Sequence, residues 1–352
     1  MSLTTIKSEP FHMIILPIAA IKKVNEYSRK EGAMKKTFII LLLSCLGSFA
    51  AQAAPLVDLI IFSYNRPLQL YALLESVSEH VSGLRCVTVI YRADGAYQDG
   101  YDDLKNIFVD VDFVMQKNPP ADFKELTVEA VRGAGDYLMF AVDDQVVKDN
   151  VDVSYCAQLI EEHNAYGFFL RLGDHVDYCY SMRGAQGIPP LEQVAPFVYR
   201  WQFCTGKHDW NYPHTVDATI YRTRDVLPFI EQLSYSGPNT LEGYWAGSGS
   251  GVGHHYGLCF ANTKTVNLPL NRVQNVYKNR AMEDYEASEL LAVFVAGLKM
   301  DSAPLANIAN RSAHMEYHPT FITRDTTKQI SVINCPRLAP AEEVFTQSLA
   351  AA

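Results

Sequence analysis

Two neighbouring carboxylates, Asp143 and Asp144, close an apolar run from Tyr137 to Val142, and paired acids at a strand end offer hard oxygen ligands to Mg²⁺ or Mn²⁺. Further along the chain, Glu242 follows Asn239-Thr240, a pair able to cap a helix, and stands as a carboxylate able to take a proton from a hydroxyl group; Asp217 is its runner-up. A glutamate in the first turn of a helix is also explained by the helix dipole alone. Earlier, Asn65 and Arg66 follow the apolar run Val57 to Phe62, and Asp94-Gly95 follows Cys86 to Tyr91. A plain Asp-Gly turn is the competing reading of Asp94, and an arginine at a strand end is more often a solvated turn residue. His254, His255, His314 and His318 are scattered, and Asn267, Asn271 and Arg272 sit near a further apolar stretch. Any of them can reach a ligand, but a satisfied polar side chain is the default for each histidine and a structural turn for the other three.

What ties the first set together is the pattern of elements that must carry it. Val57–Phe62, Cys86–Tyr91, Asp112–Met115 and Tyr137–Val142 read as short strands buried on both faces. Between them, Leu68–His80 places Leu70, Leu73, Leu74 and Val77 on one helical face, and residues 122 to 133 read as a second helix. Strands alternating with helices predict an α/β domain with a mostly parallel sheet flanked by helices. Ligands in such sheets bind beyond the carboxyl ends of the strands, so Asn65, Arg66, Asp94, Asp143 and Asp144 are expected to converge on one edge. After Asn150 the sequence reads as an irregular C-terminal elaboration, with a clear helical pattern returning only around residues 283 to 296.

Composition bounds the rest. With 48% hydrophobic and 20% charged residues among 352, the chain is globular, and one domain over residues 54–335 with a tail at 336–352 is expected. A net charge of −9 without a basic run past the N-terminus argues against nucleic-acid binding. Lys35-Lys36, the apolar run from Phe38 and Ala51-Gln52-Ala53 read as a signal peptide over residues 34–53, after an upstream extension at 1–33, so export to the periplasm or exterior is expected, with a membrane anchor as the alternative. Past that segment lie Cys86, Cys156, Cys179, Cys204, Cys259 and Cys335, whose spacing neither requires nor forbids disulfides and does not suit a zinc site.

The segment Gly135-Asp-Tyr-Leu-Met-Phe-Ala-Val-Asp-Asp144, the opening Ile61-Phe-Ser-Tyr-Asn-Arg-Pro67 and the Asp94-Gly95 turn resemble, in order and interval, the corresponding motifs of family 2 glycosyltransferases. The family usually has Asp-x-Asp where this chain has Asp143-Asp144-Gln145, so the resemblance does not decide which carboxylate meets the metal. It implies a GT-A fold and a metal-dependent, inverting, hexosyltransferase-like transfer from a UDP- or GDP-linked sugar to a glycan, lipid or protein hydroxyl. Asp94 would contact the base or ribose, Asn65 and Arg66 the donor, Asp143 and Asp144 the metal, and Glu242 or Asp217 would act as base. Phe169-Leu-Arg-Leu-Gly173, His208-Asp-Trp210, Asp217–Arg222 and Pro238–Glu242 look like segments of a bacterial glycosyltransferase-like group, placing the acceptor side in the second half. Trp201, Trp210, Tyr212 and Trp245 are candidate sugar platforms there, with core packing as the competing role. An exported carbohydrate-binding protein or pseudoenzyme on the same fold is the alternative, and a metal-dependent hydrolase lacks a compact His/Asp motif.

Overall fold

The computed structural model describes residues 55–333 except 250, 275 and 283. The expected leader, the upstream extension and the tail, with Cys45 and Cys335, lie outside the described residues. Among the described residues no helix is long and apolar enough to cross a membrane.

The first half follows the expected alternation closely. Strand β1 (Val57–Tyr64) leads into α1 (Pro67–His80), β2 (Leu84–Arg92), α2 (Gln98–Ile107), β3 (Asp112–Met115), α3 (Phe123–Gly133) and β4 (Tyr137–Val142). β1 lies between β2 and β4, parallel to both, and β2 pairs with β3 in the same sense. Because strand side chains alternate, Leu59 and Ile61 enter one core while Ile60 and Phe62 enter the other. That is why β1 reads as a continuous apolar run rather than as an alternating one. α1 is buried from Pro67 to Val77, polar positions included, because the helix Ala287–Val295 and the strand Leu298–Met300 cover its outer side.

The second half is more regular than its sequence suggests, which corrects the expectation of an irregular region reaching to residue 283. A short strand β5 (Gln145–Val147) and α4 (Val153–Glu162) precede β6 (Gly167–Phe169), the hairpin of β7 (Glu192–Ala195) and β8 (Val198–Gln202), and β9 (Thr219–Arg222). α5 (Thr223–Gln232), α6 (Pro238–Ala246), β10 (Tyr256–Phe260), β11 (Thr265–Asn267) and α7 (Ala287–Val295) complete the frame. The nine-stranded sheet runs β7-β8-β10-β6-β9-β4-β1-β2-β3. β9 is antiparallel to both β4 and β6, so the parallel half is extended by a mixed half. These added strands are three to five residues long, too short for periodicity to mark them.

Trp201, Trp210 and Trp245 are each no more than 1% exposed and belong to the core on one face of this sheet, which removes them as sugar platforms. Trp201 and Trp210 donate their indole N–H groups to the carbonyls of Trp210 and Val176, at 2.8 Å each. Packing of large rings whose N–H groups find partners is the usual condition of a buried tryptophan. Cys86, Cys156, Cys179, Cys204 and Cys259 are all free thiols.

Candidate functional site

A cavity of about 990 Å³ opens beyond the carboxyl ends of β1, β2 and β4. Arg66, Asp143, Asp144, Asp217 and Glu242 all line it, although they span most of the described chain. Asn65 and Asp94 do not line it.

Their work is at its edge. Asn65 adopts a left-handed φ of 54°, which its short polar side chain tolerates, and this lets β1 turn at once into α1. Its Oδ1 accepts from the Asp94 N–H at 2.8 Å and its Nδ2 donates to Asp94 Oδ2 at 3.2 Å, so it ties the ends of β1 and β2 together. Asp94 also accepts from the Tyr64 hydroxyl and from Arg92. Partial burial pushes its pKa up, but the hydrogen bonds from Tyr64, Arg92 and Asn65 outweigh that and hold it below the usual carboxylate range.

Arg66, at the mouth of α1, is turned inward. Its Nη1 donates to Asp143 Oδ1 at 2.9 Å and lies 3.5 Å from Asp144 Oδ2, while its Nε donates to Asn271 Oδ1 at 2.9 Å. Asp143 is fully engaged, since its Oδ2 accepts from Ser63 Oγ at 2.9 Å and from the Tyr64 N–H at 3.1 Å. Asp144 differs. Its Oδ1 is buried and without a hydrogen-bond partner. Burial raises its pKa to about 6, with Asp143 and Asp217 adding to the rise and Arg66 and His314 opposing it.

This donor set suits a hard cation. Among the described residues, no three His, Cys, Asp or Glu side chains come together closely enough to hold an ion unaided. Mg²⁺ is ordinarily held by one or two carboxylates with substrate phosphates completing the shell, and the unpartnered Asp144 oxygen would suit that role, beside the Arg66 that Asp143 holds in place.

Across the cavity stand Asp217, just before β9, and Glu242 on α6. The helix begins at Pro238 with Gly237 as its N-cap, so Asn239 and Thr240 do not cap it and Glu242 lies beyond its first turn. The helix-dipole account of Glu242 therefore loses its footing. Glu242 Oε1 accepts from the Val216 N–H at 3.0 Å. Burial first, and then Asp217, raises its pKa to about 7, against the hydrogen bonds from Thr215 and Val216 and the charge of Arg171. That value suits a group taking a proton near neutrality.

His314 is the one histidine of the expected four that lines the cavity, with Nε2 3.5 Å from Asp217 Oδ2 and its ring stacked on Tyr180. His318 is exposed, and His254 sits instead beside Cys204 Sγ at 3.7 Å. Asn267, Asn271 and Arg272 all line the cavity, as does Tyr212. Asn271 holds Arg66, and Asn267 Oδ1 accepts from Gln145 at 3.0 Å. Sequence reasoning missed Arg92 and Gln116, at the ends of β2 and β3, and it missed Asp209 as a lining group. Arg92 and Gln116 obey the same strand-end rule that selected Asn65 and Asp94, but Arg92 sits two positions before the more conspicuous Asp94-Gly95 turn and Gln116 one before Lys117.

No family model matches the chain. Over 210 aligned residues, however, it is 27% identical to the bifunctional glycosyltransferase pgtA of Dictyostelium discoideum, an alignment covering 52% of this chain. The chain is related to a glycosyltransferase. It spans about a quarter of that curated relative's length, 26%. Among solved structures, S. aureus TarS 1-349 superposes with a TM-score of 0.40 at 13% identity over 60% of this chain and 59% of that one. The same fragment in complex with UDP gives a TM-score of 0.40 at 12% identity, with the same coverage. Neither score is high enough to bear on the site. The pgtA relationship and the α/β fold are both what the glycosyltransferase-like motifs of the first half led us to expect.

Proposed function

We propose that the protein is a metal-dependent glycosyltransferase that moves a sugar from a UDP- or GDP-linked donor to a hydroxyl acceptor with inversion at the anomeric carbon. The observation that carries this reading is the pairing, across one cavity, of the unpartnered Asp144 carboxylate oxygen with Glu242, whose pKa lies near 7. The relationship to pgtA supports the reaction class.

The chain's own groups divide the work. Asp144, beside the Arg66 that Asp143 holds in place, would hold Mn²⁺ or Mg²⁺, which would supply neutralisation of the charge gathering on a departing diphosphate. Asn65 keeps the β1 turn and Asp94 in register, so that Arg92 and Tyr64 present a fixed rim. Glu242 takes the proton of the attacking hydroxyl as the new bond to the anomeric carbon forms and the bond to the diphosphate oxygen breaks. The charge of Arg171, a buried residue, opposes the rise in the Glu242 pKa. Asp217 restrains His314 and is the second candidate for the base.

Calorimetric titration of the folded protein with UDP and with GDP, with and without Mn²⁺, tests the donor half of this reading. Metal-dependent binding of either nucleotide is expected. Absence of binding to both would favour a carbohydrate-binding protein without transfer activity.

A further inference from the structure

A loop over residues 269–282 forms one lip of the cavity mouth. Its ends meet where the Met282 N–H donates to the Pro269 carbonyl at 2.8 Å, and Asn271, just inside, holds Arg66. Near the tip, Gln274 brackets Tyr277, accepting from its N–H at 2.9 Å and donating to its carbonyl at 2.8 Å. A built turn therefore presents Val276, 60% exposed, and Tyr277 to the outside. Tyr277 lies against α6 at Gly243, where an added Cβ would stand 2.8 Å from its hydroxyl. The turn from Tyr180 to Arg183 adjoins the loop, since the Arg183 N–H and Arg280 Nη1 donate to the same Tyr180 carbonyl, at 3.2 and 3.3 Å. That turn presents Met182, 63% exposed. Met182 and Val276 both line the cavity as well, so these apolar side chains stand at its opening. Single exposed apolar residues need no explanation, but several bordering one opening mark an interaction surface.

Cations stand between these side chains. Arg183 is next to Met182, Lys278 is next to Tyr277, and Arg272 Nη1 donates to the Asn279 carbonyl beside Lys278, at 3.1 Å. Among the described residues, none of the three forms an ion pair, whereas the nearby acids Glu316 and Asp177 are taken by Arg280 and Arg311, at 2.7 Å each. Asp284, beside His318, remains as an opposing charge. On a chain of net charge −9 the lip is a local reversal of sign. We infer that this lip rests on an anionic lipid surface, with Val276, Met182 and Tyr277 reaching into the interface and Arg183, Arg272 and Lys278 meeting lipid phosphates. Apolar tips flanked by cations fit the boundary between headgroups and acyl chains, and tyrosine is at home there. An acidic protein segment would match the cations but set the aliphatic tips against carboxylates. The remaining, negative surface of the molecule is repelled by the same lipids, which turns the cavity mouth toward the membrane. The lipid surface stands apart from the proposed reaction; together the two place the acceptor at the membrane.

The test is limited trypsin digestion of the full chain, read by mass spectrometry, with vesicles of phosphatidylcholine alone or mixed with an equal part of phosphatidylglycerol. Cleavage after Lys278 should slow several-fold on the anionic vesicles and not on the neutral ones, and the protection should fade as salt is added. Cleavage after the exposed Lys328 should be unchanged. This readout reports the lip itself, whatever the N-terminal segment contributes to vesicle binding. Arg183→Gln with Val276→Ser keeps the cut site and should raise the anionic-vesicle concentration needed for half-protection about tenfold, roughly fivefold of it from the charge. Native circular dichroism of that variant is the folding control, and both substituted side chains are exposed. Cleavage after Lys278 that anionic vesicles do not slow, equal protection by neutral vesicles, or no change in the variant would each overturn the inference. Protection by soluble polyglutamate without protection by vesicles would overturn it in favour of an acidic protein partner.

Discussion

Replacing Glu242 with Gln should make the protein more stable and inactive at once, and the pH dependence of the stability gain is the decisive part. Glu242 has an ordinary pKa of 4.5 that burial, then Asp217, raises to about 7 in the folded chain. The folded state therefore holds this proton more tightly than the unfolded state, and the carboxylate's burial costs nothing below about pH 4.5, where both states are protonated. The cost grows as pH rises through that interval and is complete above about pH 7. At 1.36 kcal/mol per pKa unit the full difference is about 3 kcal/mol, and sharing of the repulsion with Asp217 reduces it to about 2 kcal/mol. Glutamine keeps an oxygen for the Val216 N–H and carries no charge, so it escapes the cost at every pH. With roughly 2–4 °C of Tm per kcal/mol for a domain of this size, Glu242→Gln should melt about 4–8 °C higher than wild type at pH 8 and at the same temperature near pH 4.5. Arg171, Tyr212 and Asp217 also face this carboxylate, and all three are left in place. Circular-dichroism melts at both pH values, without substrate, measure the effect, and a Tm difference that does not change with pH would refute the reasoning. Transfer activity should drop by about 10²–10⁴ in kcat, and activity at the wild-type level would move the base to Asp217.

Three other changes probe the rest of the site. Asp143→Ala with Asp144→Ala should abolish Mn²⁺-dependent UDP binding by calorimetry while the far-ultraviolet circular dichroism stays native; unchanged binding would remove both from the metal site. Arg66→Met should lower unfolding stability by about 3–5 kcal/mol in urea melts, because Asp143 loses its buried counter-charge, and a loss under about 1 kcal/mol would show that water reaches the pair. Trp210→Ala should cost about 3–5 kcal/mol as a core truncation, and selective loss of sugar binding with unchanged stability would restore the platform role.

The parts of the structure visible in the sequence are those whose physical cause is local. β1, β2 and β4 are buried on both faces, so their apolar runs survive as a signal in one dimension, and the polar residues ending them stand out for the same reason. α2 escaped notice although Gly100, Tyr101, Leu104 and Ile107 form its buried stripe, because Asp99, Asp102 and Asp103 on its outer side make the stretch read as a polar loop. Glu242 was singled out through a cap that does not exist, since α6 starts at Pro238, two residues before a helix capped by Asn239 would. Arg171 and Asp209 are joined across 38 positions by the packing of short strands and a 3-10 turn, and no spacing rule brings them together. For the tryptophans the sequence left sugar platform and core packing side by side, and burial decides for the core, since an aromatic residue in an unpatterned stretch looks alike whether it faces sugar or fills a core.

The Arg66 to Asn271 hydrogen bond has one more implication, for how the chain comes to exist. It closes a loop of 205 positions, and His314 enters the cavity later still. During synthesis the strand-end acids therefore emerge long before the groups that turn them into a pocket. A nascent chain halted before Asn271 would display Asp143 and Asp144 on an open ledge, and nucleotide capture on stalled ribosomes would report the moment at which the molecule finishes folding.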